Sequence, residues 1–204
     1  MTALPRFLTV FGLLIVWSTV VKTGVTDPFD HRALLSLINL QSQSSLAFWH
    51  FVTWLGAPVV VTTIAILAAA VFWMHGSINE AKRIALAVLA ATALDMPLKY
   101  LVHRARPLDN FSGVMPTSFS FPSGHVLFAT AFYFTFALTV AKNRNISSQR
   151  LLLLCALCVV TLVLLSRLCL GVHYLSDVLG GLLSGLLGVT FVQLIIKPDA
   201  LQRK

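Results

Sequence analysis

The residues best suited to chemistry lie between Ser166 and Asp177, in the sequence SRLCLGVHYLSD. Their surroundings are mostly apolar, where ionisable groups are costly and are therefore candidates for function. His173 and Asp177 are four residues apart, so a helix that begins near Tyr174 would let the carboxylate accept a hydrogen bond from one imidazole nitrogen. The other nitrogen would then be available as a base or a nucleophile.

Arg167 could complete an anion site beside this histidine. It lies six residues before His173, on the other side of Gly171, so a short turn could bring its guanidinium back to the imidazole. A fork of N–H donors suits a phosphate. The same residues could instead be a chance trio that caps two helices, and this stretch alone does not separate the two interpretations.

The composition indicates an integral membrane protein with a single domain over residues 1–204. Of the 204 residues, 57% are hydrophobic and 11% are charged, whereas soluble domains carry about 25% charged residues. The net charge of +8 does not indicate nucleic-acid binding, because the basic residues lie in short segments between apolar runs, as membrane topology requires. The cysteines Cys155, Cys158 and Cys169 form neither a disulfide framework nor part of a metal-ligand cluster, so no metal is expected.

Apolar runs predict an all-α bundle of six transmembrane helices. Their approximate ranges are 7–21, 49–73, 84–102, 123–141, 151–167 and 176–196. The first run resembles a signal peptide, but no small-residue cleavage site follows it, which favours a retained span. Residues 23–48 predict a short amphipathic helix at the interface, with Asp27, Pro28 and Asp30 in the turn and cap before it. The last span is rich in glycine, which permits close helix packing.

The distribution of basic residues predicts the orientation. Six spans put both termini on one side, together with Arg6, Lys82, Arg83, Lys142, Arg144, Arg150, Lys197, Arg203 and Lys204, and leave Lys22, Arg32, Lys99, Arg104, Arg106 and Arg167 on the other. The positive-inside rule therefore places the termini in the cytoplasm. The polar loop at 103–125 and the turn at 168–174 then share the extracytoplasmic side.

Three polar clusters meet on that side: KYLVHRARP from Lys99, PSGH from Pro122 and the stretch from Ser166. Each has an ordinary alternative, since Lys99 could extend to the interface and PSGH could be only a turn and cap. Their occurrence together, in this order and on one side, favours a single site. Asp95 lies four residues before Lys99, so the two could pair within the third span.

In these motifs the sequence resembles the type-2 phosphatidic acid phosphatases, membrane relatives of glucose-6-phosphatase and the vanadium haloperoxidases. The family signature is Lys, six residues, Arg-Pro; then Pro-Ser-Gly-His; then Ser-Arg, five residues, His, three residues, Asp. All three parts are complete here, over roughly residues 30–196. Val126 stands where a small residue is common, which is a minor departure.

The resemblance implies a six-span α-helical bundle that hydrolyses a lipid phosphate through a phosphohistidine, without a metal or another cofactor. It implies that His173 is the nucleophile, that Asp177 orients it and that His125 is the general acid. The phosphate-binding residues it implies are Lys99, Arg106, Ser123, Gly124 and Arg167, with Arg104 as a further candidate.

A site at the membrane face suits a lipid whose tail stays in the bilayer, such as undecaprenyl pyrophosphate, phosphatidylglycerol phosphate or phosphatidic acid. The small size and short loops resemble bacterial members, which predicts a bacterial plasma membrane. Headgroup selectivity would lie in residues 108–121 and the helix at 31–48, and nothing there chooses among the lipids. One alternative is a phosphotransferase with a lipid acceptor. Another is a transporter or channel, which would need charges in both membrane halves.

Overall fold

A computed structural model describes residues 3–38, 42–108 and 117–196, and within these ranges the chain is α-helical with no strands. The helices are α1 (Ala3–Lys22), α2 (Asp27–Ile38), α3 (Gln43–Thr53), α4 (Pro58–Met74), α5 (Ile78–Val102), α6 (Gly124–Ala141), α7 (Ile146–Cys169) and α8 (Leu175–Ile195). A short 3-10 turn over Trp54–Gly56 joins α3 to α4. The prediction of an all-α fold is confirmed.

Five helices, α1 and α5 to α8, are long and apolar enough to cross a membrane individually, and α3 with α4, bent by 44°, gives a sixth when the pair is counted as one span. The sequence predicted a second span over roughly 49–73, and the structure builds this region from two helices with a break between Thr53 and Pro58. Pro58 has no N–H group and is best accommodated in the first turn of a helix, and α4 begins with it. The short helix predicted within 23–48, before QSQSS, corresponds to α2, and α3 begins within QSQSS, at Gln43. Asp27 and Asp30, predicted in the turn and cap before the helix, lie in its first turn.

The break between α3 and α4 packs against the two helices beside it. A Cβ atom on Gly56 would lie 2.4 Å from Val163 Cγ1 and 3.0 Å from the His125 carbonyl oxygen, so no side chain fits at this position. The Leu55 carbonyl, which has left the helical pattern, accepts a hydrogen bond from the Tyr133 hydroxyl at 3.0 Å. The break therefore satisfies its freed backbone group and fixes α3 close to α6 and α7.

The central helix of the bundle is α6, most of which is buried. It packs closest to α8, where a Cβ atom on Gly185 would lie 2.4 Å from Thr130 Cβ, and one on Gly181 would lie 2.6 Å from the Ser123 carbonyl oxygen. The two backbones therefore touch directly, as the glycine-rich last span predicted. This contact fixes the helix that follows PSGH against the helix that carries Asp177.

Apolar side chains fill the space around α6 and also cover the outside of the bundle. Val61, Ile84 and Leu127 are fully buried on one side of α6, and Val160 and Val178 are buried on the other. The outward residues include Leu8, Ile66, Leu89 and Leu154, each with more than half of its surface exposed. Such a continuous exposed apolar surface fits lipid rather than water, as expected for an integral membrane protein.

Candidate active site

Helix ends bring the three sequence clusters together at one end of the bundle. Lys99 lies in the last turn of α5 and Arg167 in the last turn of α7, while Ser123 is the N-cap of α6. His173 lies in the turn before α8 and Asp177 in its first turn. The Ser123 N–H group donates to the Asp177 carbonyl oxygen at 3.0 Å, which ties the starts of α6 and α8 together. Helix α8 has Tyr174 as its N-cap, where the spacing of His173 and Asp177 placed it.

The imidazole of His173 is buried and has different neighbours at its two nitrogens. Its Nδ1 atom lies 3.6 Å from Asp177 Oδ2 and 3.4 Å from Ser120 Oγ. Its Nε2 atom lies 3.1 Å from Arg106 Nη1. Because a guanidinium can only donate, Nε2 must accept, and the ring proton is on Nδ1, facing Asp177. The lone pair is therefore on Nε2, on the side of Arg106.

The surroundings of His173 favour the neutral ring. Burial lowers the pKa of His173 well below 6.5, and the positive charges of Arg106, Arg167 and Lys99 lower it further. A neutral imidazole has the lone pair that a nucleophile needs. The geometry and the charges thus leave Nε2 reactive near neutral pH.

The carboxylate of Asp177 is fully buried and surrounded by donors. Its Oδ2 atom accepts from the Tyr174 N–H group at 2.9 Å and from the Ser120 hydroxyl. Its Oδ1 atom accepts from Arg104 Nη1 at 2.9 Å. Ser120 therefore touches both members of the His–Asp pair, and the sequence carried no signal for it because it lies outside the PSGH motif.

Lys99 lies against the start of α6. Its ammonium group pairs with Asp95, one turn earlier in α5, which confirms the predicted pair, and it also donates to the Pro122 carbonyl oxygen at 3.1 Å. A Cβ atom on Gly124 would lie 3.1 Å from Asp95 Oδ1, so the glycine gives the pair room. The positive charge of Lys99 is thereby held next to PSGH.

Arg106 is fixed by the loop before α6 and by the turn before α8. Its Nε atom donates to the Ser118 carbonyl oxygen at 2.7 Å, and its Nη1 atom donates to the Val172 carbonyl oxygen at 2.9 Å. These bonds hold the guanidinium beside His173. Since burial outweighs the nearby carboxylates, the pKa of Arg106 is lowered from its usual value. A guanidinium nevertheless keeps its charge in proteins.

Two buried polar atoms of the site have no hydrogen-bond partner among the described residues. They are Ser123 Oγ and Arg167 Nε, although Arg167 also donates through Nη1 to the Thr53 hydroxyl of α3. Buried polar groups almost always have a partner, and the oxygens of a phosphate would provide one for each atom. Thr53 had no signal in the sequence, because it lies inside the apolar run interpreted as the second span.

His125 is half-buried in the first turn of α6. It is within electrostatic range of Arg167, His173, Arg106 and Lys99. The second imidazole of the sequence motifs therefore faces the same charges as the first. This arrangement could move a proton to or from a group bound between them.

Arg104 contacts carboxylates. Its Nη2 atom donates to Asp27 at 2.7 Å and to Asp30 at 2.8 Å, and its Nη1 atom donates to Asp177. Burial alone would lower the pKa of Arg104, but Asp177 and Asp30 outweigh this effect and raise it above its usual value. The sequence made Arg104 a further candidate for phosphate binding, whereas the structure directs both terminal nitrogens to carboxylates.

Comparisons with known proteins agree with this geometry. The sequence profile described as the PAP2 superfamily matches residues 80–199. Phosphatidylglycerophosphatase B of Bacillus subtilis (strain 168) is 32% identical over 138 residues, which are 67% of this chain and 68% of the relative. A candidate undecaprenyl-diphosphatase of Escherichia coli (strain K12) is 29% identical over 170 residues, which are 80% of this chain and 81% of the relative.

Two solved structures share the fold. The transmembrane PAP2-type phosphatidylglycerolphosphate phosphatase from Bacillus subtilis has a TM-score of 0.84 at 23% identity and covers 98% of this chain and 99% of its own. The LpxE protein of Aquifex aeolicus has a TM-score of 0.60 at 22% identity and covers 80% of this chain and 94% of its own. At these identities the likeness concerns the arrangement of the helices.

The lowered pKa of His173 predicts where activity is lost in acid. Neutral His173 is the reactive form, so kcat/KM falls as the pH drops through its pKa in the free enzyme. Because burial and the cations lower that pKa, we expect the acid limb well below pH 6.5. The measurement is kcat/KM against pH with two aryl phosphates whose own phosphate pKa values differ. A limb at or above pH 6.5 that stays in place when the substrate changes would contradict the assignment.

Proposed function

The chain belongs to the PAP2 superfamily as an integral membrane hydrolase of lipid phosphates, and we propose that its reaction proceeds through a phosphohistidine on His173. The observation that supports this proposal is that Nε2 of His173 faces Arg106. The lone pair of a neutral, buried imidazole lies 3.1 Å from Arg106, and Arg167 and Lys99 act on the same ring. A phosphate attracted by these three cations would meet the nucleophile directly.

In the first step we propose that Nε2 of His173 attacks phosphorus in line while the bond from phosphorus to the lipid oxygen breaks. His125 donates a proton to that oxygen. Phosphoryl transfer depends mainly on positioning and on stabilising charge at the equatorial oxygens, which Lys99, Arg106 and Arg167 provide. The N–H groups at the start of α6 add donors for the anion.

In the second step, water attacks phosphorus and His125 accepts its proton. Phosphate then leaves and His173 returns to the neutral form. The carboxylate of Asp177 stabilises the positive charge that the imidazole carries while it is phosphorylated, and it keeps the ring oriented through Nδ1. The three cations take the role that a metal ion has in many other phosphoryl-transfer enzymes, so we propose hydrolysis without a metal.

For the substrate, we propose a polyprenyl pyrophosphate or a glycerophospholipid with a terminal phosphate. The activities for which the two relatives are named point to phosphatidylglycerol phosphate and undecaprenyl diphosphate, and phosphatidic acid has the same terminal phosphomonoester as the former. A mostly apolar cavity of about 190 Å³ lies beside His173, between α2 and the start of α8, with Leu34 and Leu168 in its lining. This setting suits a lipid. Residues 109–116, where selectivity was expected, lie outside the described ranges.

We also propose that the site faces the extracytoplasmic side of a bacterial plasma membrane. The described basic residues at the opposite end of the bundle are Arg6, Lys82, Arg83, Lys142, Arg144 and Arg150. At the site end, Lys99, Arg104, Arg106 and Arg167 are engaged in the site itself, which leaves Lys22 and Arg32. The positive-inside rule therefore supports cytoplasmic termini.

The direct test of the activity is phosphate release by the purified protein from the three candidate lipids in detergent micelles, with a chelator present. We expect at least one lipid to release phosphate at a rate that the chelator leaves unchanged. Vanadate should inhibit because it occupies the phosphate site.

Full loss of activity in the chelator, restored by magnesium, would contradict the metal-free reaction. A labelled second lipid, formed in place of free phosphate, would identify a phosphotransferase instead. A transporter or channel would release no phosphate from any of the lipids.

The orientation predicts which loops a membrane-impermeant thiol reagent can reach. Cysteine is introduced at Thr117, before α6, or at Ser147, at the start of α7, in a chain whose native cysteines have been replaced. Both positions are exposed. In intact cells we expect Thr117→Cys to react and Ser147→Cys to react only after the cells are opened. The reverse pattern would invert the topology.

The proposed roles of His125 and His173 can be distinguished by changing the leaving group of the substrate. An acid matters most when a poor leaving group such as an alkoxide departs, and least for a phenolate. We expect His125→Ala to lower the activity on a lipid phosphate on the order of 100-fold or more. The phosphoenzyme burst that this variant forms from an aryl phosphate should decrease much less. His173→Ala should form no acid-labile phosphoenzyme from either substrate. A burst retained by His173→Ala and abolished in His125→Ala would exchange the two roles.

A further inference from the structure

A carboxylate from α2 holds the start of α8. Asp30 is fully buried; its Oδ1 atom accepts from the Ser176 N–H group at 2.9 Å, and its Oδ2 atom accepts from the Ser176 hydroxyl at 2.6 Å. The first N–H groups of a helix have no partner within the helix, and a negative charge there is favourable. Asp30 therefore caps α8, although it lies 146 residues earlier in the chain.

Arg104 joins this cap to the catalytic carboxylate. Its Nη2 atom lies 2.8 Å from Asp30 Oδ2, and its Nη1 atom lies 2.9 Å from Asp177 Oδ1. Both carboxylate side chains are 0% exposed and that of Arg104 is 10% exposed. Two buried carboxylates this close to one cation would repel each other without it. The position of Asp177 thus depends on Arg104, and the position of Arg104 depends on Asp30.

We propose that Asp30 and Arg104 are positioning residues for phosphoryl transfer, an inference that rests on the proposed function. They fix Asp177, and Asp177 in turn orients the Nδ1–H group of His173. The contact between Nδ1 and Asp177 Oδ2 is 3.6 Å long, so a small displacement of the carboxylate would break it. Small errors in the positions of the reacting atoms strongly lower the rate of the chemical step.

The network is separate from the groups proposed to bind phosphate. The hydrogen bonds of Arg106 go to Ser118, Phe119, Val172 and His173, and those of Lys99 go to Asp95 and Pro122. Asp30 binds Arg104 and Ser176 instead. A change at Asp30 should therefore slow the chemical step and leave the affinity for an anion nearly unchanged, which a general loss of structure would not do.

The principal variant is Asp30→Asn, which keeps the size of the side chain and an oxygen for Ser176 but removes the charge that faces Arg104. In the full-length protein we expect phosphoenzyme formation from an aryl phosphate, measured as a burst, to slow by about 10- to 100-fold. The inhibition constant of vanadate should change by less than about threefold, because the phosphate-binding cations keep their contacts.

The matched comparison is Asp27→Asn. Asp27 binds the same guanidinium at 2.7 Å, but its side chain is 52% exposed, and it forms no hydrogen bond or ion pair with the described residues of α8. We expect the burst to slow several-fold less in Asp27→Asn than in Asp30→Asn. Equal effects of the two variants would overturn the inference, because they would show that the charge on Arg104 matters and the cap of α8 does not.

A second pair of variants addresses the chance that Asp30→Asn does not fold. Ser176→Ala removes the hydroxyl that donates to Asp30 and accepts from Arg104 but keeps the backbone cap, so it should slow the burst in the same direction with vanadate inhibition unchanged. Arg104→Gln leaves buried carboxylates without their cation and should lower the melting temperature. Adding Asp30→Asn to it should restore part of that loss. If Ser176→Ala keeps the wild-type burst rate, or the double variant is no more stable than Arg104→Gln, the inference fails.

These results separate this inference from the proposed function. Wild-type protein that forms no phosphohistidine would refute the proposed function. Wild-type protein that forms one, with Asp30→Asn forming it at the same rate, would refute only the positioning role. Weaker vanadate inhibition in parallel with a slower burst would also refute it, because Arg104 or its neighbours would then be binding the phosphate.

Discussion

The buried carboxylate of Asp177 is the group on which the rest of the site depends. An ionised carboxylate in an apolar interior is costly unless donors surround it, and three separate parts of the chain supply them. Arg104 comes from the loop after α5, Ser120 from the segment before α6 and the N–H group of Tyr174 from the start of α8. The contacts that satisfy this charge are therefore the same contacts that hold the ends of the helices together. The same set of contacts thus stabilises the site and closes this end of the bundle.

The two nitrogens of His173 face opposite charges. Asp177 lies on the Nδ1 side, paired with Arg104, and Arg106 lies on the Nε2 side, while the charges of Arg167 and Lys99 also act on the ring. In the proposed reaction, these cations disfavour a protonated ring before the substrate binds, and they attract its phosphate. The bound phosphate offsets their charge, so the imidazole can become positive as it is phosphorylated. On this proposal the ring is neutral when it attacks, and its positive charge is stabilised afterwards.

Much of this arrangement could be predicted because it depends on local patterns. Apolar runs gave the spans, and four-residue spacing placed both the Asp95–Lys99 pair and the start of α8. The break before Pro58 was missed because Trp54 and Leu55 are apolar and extend the second run without interruption. The partners of Arg104 were missed for a different reason. Asp30 lies 74 residues away from Arg104 in the chain. The residues next to Asp30 do not show whether its carboxylate caps a distant helix or the helix in which it lies.

The helix that carries Asp30 has an unusual distribution of polarity. In α2, Phe29 and Leu35 are 63% and 55% exposed, whereas Asp30 is fully buried. In a soluble protein this would be unfavourable, but apolar side chains directed at lipid cost little, and a carboxylate directed inward finds its cation and the start of α8. Asp30 fixes α2 against the start of α8 through charge and hydrogen bonds, which are directional, and the buried Leu34 adds apolar packing, which is not. A displacement of α2 would move Asp30 and thereby change its contacts with Arg104 and Ser176, so the position of this helix is coupled to the carboxylate of Asp177.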